Sequence, residues 1–233
     1  AHKSVAAYDI NYIFPLYIYK IYEIPSMNKG LQSLLFEPTG EYGKGGKKPN
    51  IAPKVFEHLE TAYKKKPTPE QILYYCYAVL YSNIYREKYA EFLKIDFPRI
   101  PFTSDYKLFL DIAALGEELT GLHLLKSKLL NRPITKYNGF GEDLIEKPIF
   151  HEASKRVFIN KMKFFEGITN EVWEYHIGGY QVMEKYLKDR KGHQMSDPAT
   201  YCKIATSIAE TIKIQKRIDL LFLKAEDNVI EFI

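Results

Sequence analysis

The stretch that most restricts the fold is residues 172–191, Val-Trp-Glu-Tyr-His-Ile-Gly-Gly-Tyr-Gln-Val-Met-Glu-Lys-Tyr-Leu-Lys-Asp-Arg-Lys, which holds the chain's one tryptophan. Val172 to Ile177 is rich in aromatic and β-branched residues, which suit a pleated surface, and reads as a strand. Gly178-Gly179 lets the backbone turn without a Cβ clash. From Tyr180 onward, Tyr180, Met183 and Leu187 share one helical face, while Glu184–Lys188 and Lys185–Asp189 are i,i+4 charge pairs. The stretch therefore predicts a strand running straight into a helix. A helix opening on two glycines offers unpaired N–H groups and the positive end of its dipole to a phosphate. The plainer reading is that the glycines only make the turn, with Lys188, Arg190 and Lys191 complementing the helix C-terminus.

The rest of the chain is mostly helical before residue 130 and strand-rich after it. Residues 5–22 read as one or two strands, interrupted at Pro15. Residues 23–50 are loop-like, with Gly40, Gly43, Gly45 and Gly46 among lysines. A phosphate-binding loop needs Lys after the second glycine of G-x-x-x-x-G, and here Gly46 follows Gly45, so nucleotide binding is rejected. A mobile basic loop meeting DNA phosphate or an acidic protein, or a plain solvated loop, both remain open. Val55, Leu59 and Ala62 give a short amphipathic helix. Thr68-Pro69-Glu70-Gln71 is a capping box with Pro at the first helical position, and opens a helix from Ile72 to Tyr81 that is apolar nearly all round. Ser82 or Asn83 caps a further helix, Ile84 to Lys94. Phe97-Pro98-Arg99-Ile100-Pro101 must be extended, a strap anchored by Phe97, Ile100 and Phe102 with Arg99 held in place for a carboxylate or a phosphate. Ser104 opens a long helix with a stripe of Leu108, Ile112, Leu115, Leu119 and Leu122.

Residues 131–141 read as a loop. Leu144–Phe150, Arg156–Asn160 and Lys163–Glu166 read as short strands. Over 126–163, nine basic side chains stand against four acidic ones, the most basic long segment. Asp197-Pro198 then caps one helix reaching about Leu223, buried along Tyr201, Ile204, Ile208, Ile212, Ile218 and Phe222. These patterns predict an α+β fold, predominantly helical, with a small mixed or antiparallel sheet from the N-terminal strand region and residues 144–177, and a long C-terminal helix. One domain over 1–233 is expected, with a helical part at 51–130, a strand-rich part at 131–179 and closing helices at 180–224.

Composition narrows the function classes only slightly. A net charge of +4 permits DNA binding through a local patch and does not demand it. Two cysteines without a CxxC or Cys/His cluster make structural zinc a poor fit and point to a reduced, cytoplasmic compartment. No apolar run approaches the ~18 residues of a membrane span. The opening Ala-His-Lys, without Met, predicts a fragment of something longer. Catalytic patterns are missing: there is no G-x-S-x-G elbow, no H-E-x-x-H spacing, no Gly-rich cofactor loop and no [DNS]-P-P-[YF] motif of adenine methyltransferases. Asp105-Tyr106-Lys107 is at most half a nuclease motif. By residues alone the chain is an α+β domain with no visible catalytic centre.

Several blocks in order, however, resemble one family. They are Phe14-Pro15-Leu16-Tyr17-Ile18-Tyr19, Lys48-Pro49-Asn50-Ile51, Tyr77 to Ser82 with Tyr85 to Tyr89, Asp96 to Pro101, and Leu122-His123-Leu124-Leu125. Ile159-Asn160, Phe164 to Gly167, Val172 to Gln181 and Leu187 to Lys191 complete the set. The chain is similar to the C-terminal specificity (target-recognition) domain of Type ISP restriction–modification enzymes. Tyr81, where the family usually has His, and Tyr186, where Trp is usual, are the departures. The resemblance implies DNA target recognition without catalysis by this chain and no cofactor of its own. S-adenosylmethionine, ATP and Mg²⁺ would belong to other domains of the parent. It also implies double-stranded DNA, and the methyltransferase and helicase-like domains of the same polypeptide, as partners, with no membrane. A coupling domain with few base contacts is the alternative. The candidates for DNA contact are Lys48, Asn50, Arg99, Lys136, Lys155, Arg156, Lys161, Lys163, His176, Gly178, Gly179, Tyr180, Gln181, Lys188, Arg190 and Lys191.

Overall fold

The computed structural model describes residues 14–19 and 46–232. Two compact units divide it, residues 1–73 with 230–233 and residues 74–229. In the first unit, strand β1 (Tyr17–Tyr19) pairs antiparallel with β2 (Lys47–Pro49), with Ile18 opposite Lys48. Part of the expected loop is therefore strand, because Lys47 can lay its ammonium 4.0 Å over the Tyr17 ring. The remainder of the expected strand region, 5–13 and 20–22, and the glycine-rich 23–45 lie outside the described residues. Helix α1 (Pro53–Tyr63) buries Leu59 and Tyr63 and ends at Lys64, which adopts a left-handed conformation. Helix α2 (Pro69–Tyr81) starts on the expected capping box: Gln71 N donates to Thr68 Oγ1 at 3.2 Å and Thr68 N to Gln71 Oε1 at 2.9 Å. Its sides are only partly buried, and Leu73 is exposed.

The helical half of the second unit is built on two long helices, α5 (Tyr106–His123) and α8 (Pro198–Glu226), packed along each other. Asp197 caps α8 as its sequence predicts, accepting from Thr200 N at 2.9 Å. For α5 the cap is Asp105, one residue beyond the expected Ser104, because its carboxylate accepts from both Lys107 N and Leu108 N. The expected helix from Ile84 to Lys94 is two short ones, α3 (Asn83–Lys88) and α4 (Phe92–Ile95). Ser82 caps α3 by accepting from Tyr85 N at 3.1 Å. Asp219, from the middle of α8, reinforces that end, accepting from Ser82 Oγ at 2.7 Å and Asn83 N at 2.8 Å. Gly116 lets α5 approach α2 closely: a Cβ there would lie 1.9 Å from the Tyr74 carbonyl oxygen.

The other half is a four-stranded antiparallel sheet in the order β3-β6-β5-β4, comprising β3 (Lys136–Gly139), β4 (Ile149–His151), β5 (Arg156–Phe158) and β6 (Lys163–Glu166). β3 lies inside the stretch read as a loop, and paired to Lys163–Glu166 it is an edge strand. The strand expected over Leu144–Phe150 shrinks to β4, with Leu144 left as an isolated bridge to Gln194. One sheet face is core. Phe165 packs 4.3 Å from the Tyr201 ring and 4.6 Å from Tyr137, and Phe150 stacks 5.2 Å from Trp173.

The 172–191 stretch departs most from expectation. Val172 and Trp173 end a short helix, α6 (Asn170–Trp173), and both are buried against the sheet. The predicted strand survives only as β7 (His176–Ile177), which pairs with β8 (Tyr180–Gln181) in a two-residue hairpin. Gly178, at φ +59°, makes its turn. Helix α7 (Val182–Lys188) begins only after the hairpin. The two glycines thus do not open a helix, and a phosphate seat at that helix start is withdrawn.

Candidate nucleic-acid interface

Strand register sorts the sheet side chains into rows, because residues directly opposite one another share a face. The inner row is Tyr137–Phe165–Val157–Phe150. The outer face carries two rows, Lys136–Glu166–Arg156–His151 and Asn138–Phe164–Phe158–Ile149. A row of charged and polar groups therefore runs beside an aromatic and apolar one.

The outer face is internally organised. The Arg156 guanidinium lies 4.3 Å over the Phe164 ring, and its Nη2 is 3.4 Å from Glu166 Oε2. Asn138 Nδ2 donates to Glu166 Oε1 at 2.6 Å. Phe158 packs tilted between Phe164 and His151, at 5.1 Å and 5.0 Å. The Arg156 side chain keeps 41% of its exposure and Glu166 34%, so both reach solvent. Lys136 and Lys155 are exposed beside them, and the Lys155 carbonyl accepts from Gly167 N and Ile168 N, fixing that end of the sheet.

Lys136, Lys155 and Arg156 are thus brought together, whereas other candidates are not. Lys163 falls on the inner face: its ammonium is 3.2 Å from Asp143, lies 5.1 Å over the Tyr137 ring, and only 16% of its side chain is exposed. Tyr137, donating to Asp143 at 2.7 Å, and then Lys163 hold the Asp143 carboxyl below its ordinary range. Lys163 is a structural residue, and strand alternation alone puts it on the face opposite Lys136 and Arg156. Lys161 is exposed in the turn at the other end of the sheet, where Asn160 Oδ1 accepts from Met162 N and Lys163 N. Backbone bonds from Ile145 N to His193 O and from Gly192 N to Ile145 O join segment 142–146 to the chain following α7. The same segment accepts from Asn160 Nδ2 at Glu142 O and Leu144 O, linking Lys161's turn with the 188–191 group.

Of the remaining candidates, several are occupied locally. Gln181 Nε2 donates to Trp173 O at 2.6 Å, and His176 Nδ1 is 2.6 Å from Glu174 O. Gly178, Gly179 and Tyr180 form the exposed hairpin tip, with Lys185 5.2 Å over the Tyr180 ring. Lys188 pairs with Glu184, and Arg190 stacks 3.7 Å over Tyr186 while donating to its carbonyl. Lys191 is exposed. Arg99, expected to be held in place, is 93% exposed with Asp96 only as near as 3.8 Å, and Phe97, expected as an anchor, is 71% exposed. Phe102 alone of the strap is buried. Lys48 and Asn50 belong to the first unit, where Asn50 N donates to Leu16 O at 2.8 Å.

Sequence reasoning missed Asn138, His151, Phe158, Phe164 and Glu166. The signal was the alternation within Arg156–Phe158 and Lys163–Glu166, usable only once the register was known. In Asp105-Tyr106-Lys107, the carboxylate of Asp105 is engaged as the N-cap of α5. Among the described residues no group of three or more His, Cys, Asp or Glu is arranged to hold a metal ion, and no helix is long and apolar enough to cross a membrane.

An antiparallel sheet backed by helices, with a mixed charged and polar row beside an aromatic and apolar one on its outer face, places the chain among α+β domains. The chain belongs to the Type ISP C-terminal specificity domain family, whose model matches residues 2–217. Among solved structures it is similar to DrdV in a DrdV–DNA complex, with 25% identity, a TM-score of 0.59, and coverage of 72% of this chain and 20% of that one. A nuclease-deletion mutant of the Type ISP restriction–modification enzyme LlaGI, in complex with a DNA substrate mimic, matches with 21% identity and a TM-score of 0.52, covering 76% of this chain and 17% of that one. The ATP-dependent Type ISP enzyme LlaBIII, bound to DNA, matches at 19% identity and a TM-score of 0.57, over 93% of this chain and 14% of that one. The chain thus spans a fifth or less of the length of each of these three. A comparison with curated protein sequences returns no match.

Proposed function

We propose that this chain recognises the DNA target sequence of a restriction–modification polypeptide, and that it meets double-stranded DNA with the outer face of its four-stranded sheet. The observation that carries the reading is the row Lys136–Glu166–Arg156–His151 beside Phe164 and Phe158, in a member of a specificity-domain family. Lys136 at one edge of the row, and Lys155 next to Arg156 in the chain, suit phosphates, which set register, while Glu166 and Arg156 in its middle suit base edges. Catalysis would lie elsewhere in the parent: adenine-N6 methylation using S-adenosylmethionine, and ATP- and Mg²⁺-dependent restriction, in the cytoplasm. The test replaces Lys136 and Lys155 with Ala in the full-length polypeptide and follows duplex binding against salt. The logarithmic salt slope should become shallower by about one unit for each phosphate that is no longer neutralised. An unchanged slope and affinity would refute binding through this face.

A second reading, a coupling surface for other domains of the same polypeptide, is favoured by one observation. Tyr85, Tyr89, Phe92, Ile95, Phe97 and Ile100 line an apolar groove of about 540 Å³, with Phe92 and Phe97 strongly exposed. Phe92→Ser with Phe97→Ser should then leave duplex affinity intact and lower methylation or ATP turnover.

A further inference from the structure

We propose that Arg156 reads a guanine in the major groove, with Glu166 and Phe164 as the residues that position it. The inference rests on the DNA-recognition reading above and assigns one residue a base class within it.

The dimensions of the sheet fit such a contact. Three strand spacings of about 4.8 Å make the Lys136–Glu166–Arg156–His151 row about 14 Å long, close to the roughly 12 Å width of the major groove. Laid across the groove, the row puts Lys136 over one phosphate wall and His151, whose partner Arg156 follows Lys155 in the chain, over the other. Glu166 and Arg156 then fall over the base edges. The position of the carboxylate agrees with this: near either wall it would meet phosphate charge, whereas in the middle it is farthest from both.

Arg156 is also preorganised. A guanidinium fork matches the O6 and N7 acceptors of guanine, but a free arginine gives up rotamer freedom to make that contact. Here the plane is already set. Phe164 lies beneath it at 4.3 Å, Glu166 Oε2 takes one donor at 3.4 Å, and Glu166 is itself held by Asn138 at 2.6 Å. Of five guanidinium donors, Glu166 engages one, leaving an edge for the base. Of the other arginines among the candidates, Arg190 is also stacked, 3.7 Å over Tyr186, but it lies just after α7, donates to a backbone carbonyl and is not part of the sheet row. Arg99 extends into solvent. Lys136, Lys155 and Lys161 are point charges suited to phosphate rather than to a two-acceptor edge.

The experiment uses the full-length polypeptide and a randomised-duplex library, sequencing the bound fraction for wild type, Arg156→Lys, Arg156→Gln, Glu166→Gln and Lys136→Ala. Arg156→Lys keeps the charge and loses the fork, so the salt slope should hold while preference for G at one position falls roughly tenfold or more. Arg156→Gln should move that position toward A, and Glu166→Gln should loosen it partly. A target consensus unchanged in both Arg156 variants overturns the proposal. If in that case Lys136→Ala still flattens the salt slope, only the assignment of Arg156 fails. If Lys136→Ala also changes nothing, binding through the sheet face fails with it.

Discussion

Asp219 offers the sharpest test of how the helical half is held together. From the middle of α8 its Oδ1 accepts the Ser82 hydroxyl at 2.7 Å, Asn83 N at 2.8 Å and, more loosely, Ile84 N at 3.4 Å, while Oδ2 takes Asn83 Nδ2 at 3.2 Å. Ser82 is fully buried, so these donors have little recourse to water. Asp219→Ala removes two short hydrogen bonds to a charged acceptor and leaves their donors behind, a loss of about 2–4 kcal/mol. Asp219→Asn keeps one acceptor oxygen and should cost about half as much. In urea unfolding followed by the fluorescence of the one tryptophan, Trp173, the midpoint should fall with the slope unchanged. The same loss corresponds to a melting temperature lower by about 5–15 °C for a unit of this size. Ser82→Ala combined with Asp219→Ala should be clearly non-additive, since the pair share a bond. If Asp219→Ala moves the midpoint no more than a surface change, within about 0.5 kcal/mol, the cross-helix cap contributes nothing.

Gly116→Ala should destabilise by about 1–3 kcal/mol, seen as a lower urea midpoint, because its Cβ would force α5 away from the Tyr74 backbone; an unchanged midpoint would contradict that packing. Lys163→Ala should lower the melting temperature modestly, by removing the ion pair and ring contact at Asp143 and Tyr137, and leave the salt dependence of duplex binding unchanged, while Lys161→Ala should do the reverse. His123 is held neutral: Tyr77 and Thr211 flank its two ring nitrogens at 2.7 Å and 3.0 Å, and burial lowers its pKa from the ordinary 6.5. The folded state then binds fewer protons than the unfolded one, so this contribution is complete above pH 6.5 and is lost as pH falls below it. Thermal melts should show a decline from neutral to mildly acidic pH that His123→Gln flattens; parallel profiles would rule this out.

Local signals in the sequence were readable where local chemistry decides structure. Thr68 with Gln71, Ser82, and Asp197 with Pro198 all start helices where their side chains predict, since a cap needs only its own next few residues. The Val172–Ile177 strand failed because Val172 and Trp173 were drawn into the sheet's helical backing, where burial outweighs intrinsic β preference. Gly178-Gly179 fits a helix opening, but a two-residue turn between short extended runs is equally a hairpin signal, and the hairpin forms. β3 was invisible inside a glycine-containing polar run, because an edge strand depends on its partner. For the candidate interface, counting basic residues marks out a segment and cannot sort it into faces. Lys161 and Lys163 differ by two positions in the chain, yet one is exposed at a turn and the other is tied to Asp143.

The alternation of the sheet has a further consequence for how such a domain can change. Tyr137, Phe165, Val157 and Phe150 hold the sheet to its helices, and each sits beside a residue of the opposite face. Lys136, Asn138, Arg156, Phe158, Phe164 and Glu166 can therefore be varied together without repacking the hydrophobic core. Folding information and surface chemistry occupy interleaved positions of the same short strands, as two messages written on alternate letters. A combinatorial library confined to those six positions would explore new surface preferences at nearly constant fold stability.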